Sequence, residues 1–378
     1  MYKACSILLS MVLLMSGCSF FEKEEVQPKV QPEDKAVVLQ PDEGAIIPQP
    51  DDEAIVLHPE IEVIAENLRV PWSIDMVNGV FYLSERTGSI VKVENGKMER
   101  QQVSLEKQLA KAAEAGLLGF VLDPNFTDSQ RAFAYYTYSD NGRDQFNRIV
   151  ILDYDGDRWK EEKILLDRIP SATYHHGGRL KIGQDNKLYI TTGDATTPET
   201  AQDLTTLNGK ILRMNLDGTI PDDNPFLNSY VYSYGHRNPQ GLVWIGRTLY
   251  ASEHGQSAHD EVNQIKPGAN YGWPVIEGWE EKAGMETPLF QSGEDTWAPS
   301  GMAAFAGKLY VATLRGIAVR EFDLEKKTTS PVITGLGRIR DLFIDGDYLY
   351  FVSNNTDGRG TPDENDDRLF RVLLSNLK

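Results

Sequence analysis

One phrase recurs along most of this chain. An apolar strand runs into a Gly, Asp or Asn turn, and an aromatic-centred strand follows that ends in small or polar residues. The copies are "WSIDMVNGVFYLSE", "GLLGFVLDPNFTDSQRAFAYYTY", "GRLKIGQDNKLYITTGD", "PQGLVWIGRTLYASEHG", "SGMAAFAGKLYVATLRG" and "IRDLFIDGDYLYFVSNN". Their tyrosines, Tyr82, Tyr136, Tyr189, Tyr250, Tyr310 and Tyr350, lie 54, 53, 61, 60 and 40 residues apart. Such a period marks a repeat architecture, and about 40 to 50 residues suffice for a four-stranded blade. The expected fold is all-β, a six-bladed β-propeller. The short last interval and the strand-like "IEVIAENL" (61–68) predict that an N-terminal strand closes the final blade. Only "LEKQLAKAAEA" (105–115) reads as helix.

This architecture predicts where function sits. Residues just after the aromatic strands gather at one mouth of the central channel: Ser84–Arg86, Thr192–Asp194, Glu253–Gly255, Leu314–Gly316 and Asn354–Asp357. The loops entering each innermost strand share that end and carry Glu114–Leu117, His175–Arg179, His236–Gln240, Trp297–Ser300 and Arg338–Asp341. Polar residues concentrate in these two sets.

The formal net charge of −18 argues against nucleic acid as a partner, which requires a basic footprint. Both cysteines, Cys5 and Cys18, fall in the first eighteen residues, so the remainder has no disulfide, thiolate metal site or cysteine nucleophile. The opening "MYKACSILLSMVLLMSGCSF" has an apolar run too short to cross a bilayer and reads as an export signal. Its "MSGC" is similar to a bacterial lipoprotein signal. The expectation is a signal peptide at 1–18, lipidation of Cys18 as the only membrane attachment, and an extracytoplasmic location on the outer face of the membrane. Residues 19–60 are acidic and contain the near-repeat "EDKAVVLQP", "DEGAIIPQP", "DDEAIVLHP" (33–59). Prolines at that spacing oppose helix and central strand, so an extended linker is expected, reaching on the order of 100 Å. The catalytic domain then spans 61–378.

Within "YHHGGRLKIGQDNKLYITTGD" (174–194), His175 can hold or release a proton near neutral pH, and Asp194 could return to fix its tautomer. A histidine turn bonded to carbonyls is the other reading of that stretch. "YGHRNPQGL" concentrates Arg237, Asn238 and Gln240; Arg237 could clamp a carboxylate or pair with one of the many acids. Arg338 and Arg340, two apart in an extended segment, share one face and suit an anion with several carboxylates, and Arg315 adds a further cation. In "SEHGQSAHDEVNQIKPGANYGWP", His254, His259 and Asp260 could bind zinc, but their spacing fits no strong zinc motif, and calcium held by backbone carbonyls and a carboxylate is at least as good a reading. No GxSxG, Walker or dinucleotide-binding glycine motif appears.

Taken in order, "GLLGFVLDPNF", "HHGGRLKIGQDNKLYITTGD", "LNGKILRMNLDGTIPDDNPF", "GHRNPQGL", "SEHG…DEVNQIKPGANYGWP" and "GRIRD" resemble the soluble quinoprotein glucose dehydrogenase and aldose sugar dehydrogenase family. The resemblance covers about residues 61–375. It implies a six-bladed propeller that uses pyrroloquinoline quinone (PQQ), a tricarboxylate o-quinone, together with calcium to oxidise aldose mono- or disaccharides to lactones, passing electrons to a separate acceptor. By the same resemblance His175 is the general base, Asp194 its partner, and Arg237 and Asn238 act at the reactive quinone carbonyl beside Gln240. Arg338 and Arg340 bind cofactor carboxylates, and Arg315 falls near a lysine slot. The backbone carbonyls of Gly255 and Gln256 hold calcium. Gln202 stands in for a cofactor-binding glutamine on a segment, "ATTPETAQD", that is much shorter here. Two rivals fit the same architecture: a calcium-dependent lactonase-type hydrolase, which has no use for the arginine cluster, and a non-enzymatic surface propeller that binds glycan or protein.

Overall fold

The computed structural model describes residues 60–377 apart from Asn141 and Arg143. The signal segment with Cys18, and the linker up to Pro59, lie outside the described residues.

Tight turns build the repeat. In "VNGV" Asn78 and Gly79 both take positive φ, 51° and 78°, as Asn95 and Gly96 do at 50° and 74°. Two such residues in a two-residue loop match the right-handed twist of the strands that flank it. The first turn joins Pro71–Val77 to Val80–Glu85, and the second joins Ser89–Glu94 to Lys97–Ser104. Four-stranded antiparallel sheets result, each ordered along the chain, for residues 180–234, 239–291 and 299–333. A fourth has Ile339–Asp345, Tyr348–Ser353 and Leu369–Leu373 with Ile61–Ala65 added at its edge. That strand pairs antiparallel with the C-terminal one, Ile61 opposite Val372 and Val63 opposite Phe370, as the sequence predicts. The fifth sheet has eight strands. It comprises two antiparallel meanders joined by a short parallel register, Val103 to Trp159 and Ser104 to Lys160.

The first strands of these units, Pro71–Val77, Leu117–Leu122, Leu180–Ile182, Pro239–Ile245, Pro299–Phe305 and Ile339–Asp345, pack each against the next, and the last packs against the first. The fold is all-β and propeller-like. All six repeat tyrosines are buried, and each aromatic removes a large apolar area from water.

The helix expected at 105–115 is absent. Its backbone groups are used by tertiary partners instead: Leu109 bridges to Tyr138, the Ala110 N–H donates to the Thr137 carbonyl, and the Ala113 and Ala115 carbonyls accept the Arg86 guanidinium. The one α-helix among the described residues is the single turn Phe126–Ser129.

Candidate active site

The segment His175–Gly178 enters its strand by a route that few side chains tolerate. His175, Gly177 and Gly178 have φ of 65°, 64° and 95°. The left-handed conformation costs a non-glycine residue roughly 1–2 kcal/mol, so neighbours must hold His175 there. Gly193 runs beneath it so closely that a Cβ at that position would lie 1.9 Å from the His175 carbonyl oxygen.

Asp194 is fully buried, and its oxygens accept three N–H groups. Oδ1 takes the His175 ring at 2.7 Å and the Thr196 N–H at 2.8 Å; Oδ2 takes the Trp273 indole N–H at 2.9 Å. A carboxylate against Nδ1 keeps the ring proton on that nitrogen and leaves the Nε2 lone pair available. The His175 side chain stays 17% exposed, and among the described residues no group bonds Nε2. Behind it, the Asp194 N–H donates to the Arg237 carbonyl at 2.8 Å, tying the two segments together.

His176 is held differently. It is buried, with Nδ1 2.8 Å from the Ser171 hydroxyl, and burial pushes its pKa down to about 4. The two adjacent imidazoles therefore differ in kind: one is accessible and oriented, the other neutral and enclosed.

Arg237 lies across Trp273, its guanidinium carbon 5.4 Å from the ring centroid. Among the described residues its side-chain bonds are two long ones, 3.4 Å, to the carbonyls of His254 and Gln256, and Nε has no partner. Glu253 is occupied elsewhere, accepting the Arg237 backbone N–H and the His236 ring. Burial therefore pushes the guanidinium below its usual pKa despite the attraction of Asp194 and Glu253. Asn238 is buried and accepts the Gly177 N–H at 2.9 Å, coupling this loop to the histidine segment.

A second cationic group lies beside it. Arg340 donates to the Gln240 amide oxygen at 2.9 Å and to the Asn354 amide oxygen at 2.8 Å, while the Asp357 carboxylate stands 4.0 Å away. Arg338 donates to Asp357 at 2.7 Å and to the Leu314 carbonyl at 3.2 Å, with Nε unpartnered. Burial, only partly offset by Asp357, brings Arg340 down to about 9. Two buried guanidinium groups sharing one close carboxylate leave positive charge that an anion would neutralise.

Several of these residues line two adjoining clefts. Trp72, Glu114, His176, Gln240 and Arg340 border one, a narrow opening walled by polar and charged groups. Arg237, Glu253, Gly255 and Trp273 border the other, and His254 is common to both. His175 belongs to neither lining but is bonded to both walls, through Glu114 to the first and through Asp194 and Trp273 to the second.

Asp260 organises the turn at Gly255 and Gln256. It accepts the N–H groups of Gly255, Trp297 and Ala298 and the Thr296 hydroxyl, which uses its oxygens within the loop. A Cβ at Gly255 would meet the Ala258 carbonyl at 1.9 Å, so only glycine fits this bend. No group of three or more His, Cys, Asp or Glu side chains converges as metal ligands among the described residues, which leaves the zinc reading of His254, His259 and Asp260 without a ligand set.

Two expected site residues stand apart. Both ends of the Gln202 amide are engaged, with Asn270 and the Trp273 carbonyl, so it braces the Trp273 loop. Arg315 is exposed and lines neither cleft. Trp273 and Arg359 were not singled out from the sequence, and Glu114 only as the start of a loop at the channel mouth. Trp273 lies in the "NYGWP" marker, but nothing in a single sequence announces a partner 79 residues away.

The model of the glucose/sorbosone dehydrogenase family matches residues 68–369. An aldose sugar dehydrogenase of Escherichia coli is 31% identical over 339 residues, covering 78% of this chain and 90% of that protein. Quinoprotein glucose dehydrogenase B of Acinetobacter calcoaceticus is 34% identical over 258 residues, covering 59% of this chain and 54% of the relative. The PQQ-bound aldose sugar dehydrogenase of Streptomyces coelicolor superposes with a TM-score of 0.78 at 36% identity, covering 83% of this chain and 98% of that one. Matching motifs, the strand ring and a family model spanning most of the propeller lead to one conclusion: this chain belongs to the glucose/sorbosone dehydrogenase family.

Proposed function

We propose that this protein oxidises aldose sugars at the anomeric carbon to lactones, using PQQ and calcium. The carrying observation is the His175–Asp194 pair at 2.7 Å, set between a cleft with Arg340 and a cleft with Arg237. The residues suit a tricarboxylate. Buried, undercompensated Arg338 and Arg340 would hold its carboxylates, with Gln240 and Asn238 alongside. The glycine-only bend at Gly255, with the Gln256 carbonyl, offers oxygen ligands of the kind calcium takes.

When bound, PQQ supplies a hydride-accepting, two-electron oxidant and calcium supplies Lewis acidity toward it. The protein's part is proton transfer and orientation. His175 Nε2 accepts the anomeric hydroxyl proton, while Asp194 holds the ring tautomer and stabilises the imidazolium that forms. Arg237, with donors not committed to a carboxylate, stabilises negative charge on the sugar oxygen. Trp273 carries both groups, bonding Asp194 and lying under the Arg237 guanidinium.

The reading extends to the rest of the chain. Counting the eight-stranded sheet as two blades makes the propeller six-bladed, supported by its two meanders and the closed ring of first strands. The signal and linker composition supports export, lipidation at Cys18 and a tethered catalytic domain at 61–378.

Reconstitution tests the assignment. Apo-protein given PQQ and calcium should reduce a dye in the presence of aldoses, and calcium chelation should abolish the signal. Full activity without PQQ would overturn it.

A further inference from the structure

Glu114 and Arg359 lie 245 residues apart in sequence yet meet beside the histidine segment. Glu114 Oε2 accepts the His175 backbone N–H at 3.1 Å, and its Oε1 accepts Arg359 Nη1 at 2.9 Å. Both residues border the first cleft. The Arg359 guanidinium also stands 5.6 Å from the ring centroid of Tyr174, the residue before His175. Its own backbone is fixed by Asp357, whose Oδ1 accepts the Arg359 N–H at 2.8 Å while Oδ2 accepts Arg338 at 2.7 Å. A continuous chain of bonds therefore runs from Arg338 through Asp357, Arg359 and Glu114 to the His175 amide.

We propose that Glu114 and Arg359 form a clasp that positions the proposed base, holding His175 in its left-handed conformation, and that Asp357 ties this clasp to the arginine wall. The clasp acts on the backbone, whereas Asp194 acts on the ring. One contact sets where the imidazole is carried and the other sets its tautomer. Without Glu114 the strained φ of 65° loses the partner of its N–H, and the segment relaxes toward conformations that carry the ring elsewhere. Arg359 keeps the Glu114 carboxylate in place and covers Tyr174. Neither residue is required to touch sugar or cofactor, so they are positioning residues. The kinetic part of this inference rests on the proposed function; the structural part does not.

The test uses the full-length chain with PQQ and calcium, comparing Glu114→Ala, Glu114→Gln and Arg359→Met. Glu114→Ala should lower kcat by on the order of 10²-fold with KM little changed, the signature of a misplaced catalytic group. Glu114→Gln retains a neutral acceptor for the His175 N–H and should recover most of that loss; Arg359→Met should fall between. The His175 amide supplies a readout independent of activity: in the cofactor-free protein its hydrogen exchange should quicken by about tenfold or more in Glu114→Ala and stay slow in Glu114→Gln. Unchanged exchange in Glu114→Ala, with an unchanged melting temperature, would overturn the clasp. So would a raised KM at constant kcat, which would make Glu114 a sugar contact. A wild-type protein inactive with every aldose would sink the functional reading alone, because the exchange experiment would still decide the clasp.

Discussion

The Nδ1 atom of His175 lies 2.7 Å from Oδ1 of Asp194, and the other Asp194 oxygen is held by the Trp273 indole. The carboxylate is thus locked from both sides, and the imidazole follows it. Asp194→Asn would set an amide N–H against one of two N–H donors, Trp273 or His175. Facing His175, the amide reverses the ring's tautomer; facing Trp273, it expels the indole and loosens the anchor of the pair. We expect kcat to fall by about 10²-fold in Asp194→Asn and by ~10²–10⁴-fold in His175→Ala, with PQQ binding retained in both. Near-normal turnover in His175→Ala, read in the dye assay, would remove it from the role of base.

Gly193 provides a purely steric test of the same segment. Its hypothetical Cβ falls 1.9 Å from the His175 carbonyl oxygen and 3.0 Å from the Asn238 side chain. Gly193→Ala must push the histidine segment or the Asn238 loop aside. Turnover should drop by on the order of 10²-fold while far-UV circular dichroism remains that of the wild type.

Arg340 should behave as a residue burdened in the empty protein and relieved by an anion. It is buried, its closest carboxylate is 4.0 Å away, and burial brings its pKa down to about 9. Replacing it with methionine removes an undercompensated cation. The cofactor-free Arg340→Met protein should therefore melt no lower than wild type, while PQQ binding weakens by about 10–100-fold, as befits loss of a charge-assisted contact. Titration of intrinsic fluorescence and the PQQ-induced rise in melting temperature would check both halves.

His176 predicts an acid-side loss of stability. Its pKa is about 4 in the folded protein against an ordinary value of 6.5. Between those values the unfolded chain binds a proton that the folded chain does not, so stability is fully present above pH 6.5 and declines as pH falls toward 4. A shift of this size corresponds to on the order of 3 kcal/mol. Urea unfolding at pH 7, 5.5 and 4.5 should show a steeper decline in wild type than in His176→Asn. Parallel slopes for the two proteins would show that this imidazole contributes nothing to the pH dependence.

Much of this architecture was legible before any coordinates. The repeat tyrosines, the Asn-Gly turns and the strand at 61–65 follow from short-range rules: side chains alternate along a strand, and two-residue turns demand positive φ. The same periodicity brought His175, Asp194, Arg237 and Arg340 to neighbouring loops. It failed at 105–115, where local composition favours helix but Arg86, Tyr138 and Thr137 take up the backbone groups. The partners of the Gln202 amide, Asn270 and the Trp273 carbonyl, lie about 70 residues on and were not readable from the sequence.

Sequence alone determined the repeat, the strand edges and the residue types available at the loop ends, because these depend on neighbours a few positions apart. Tertiary structure decided which of two adjacent histidines stays accessible, which carboxylates are spent on backbone N–H groups, and that Glu114 meets Arg359. Those outcomes depend on burial and on hydrogen-bond partners tens to hundreds of residues away. A donor or acceptor has the same identity in the sequence whether it is free or committed; only the packed fold fixes which it is.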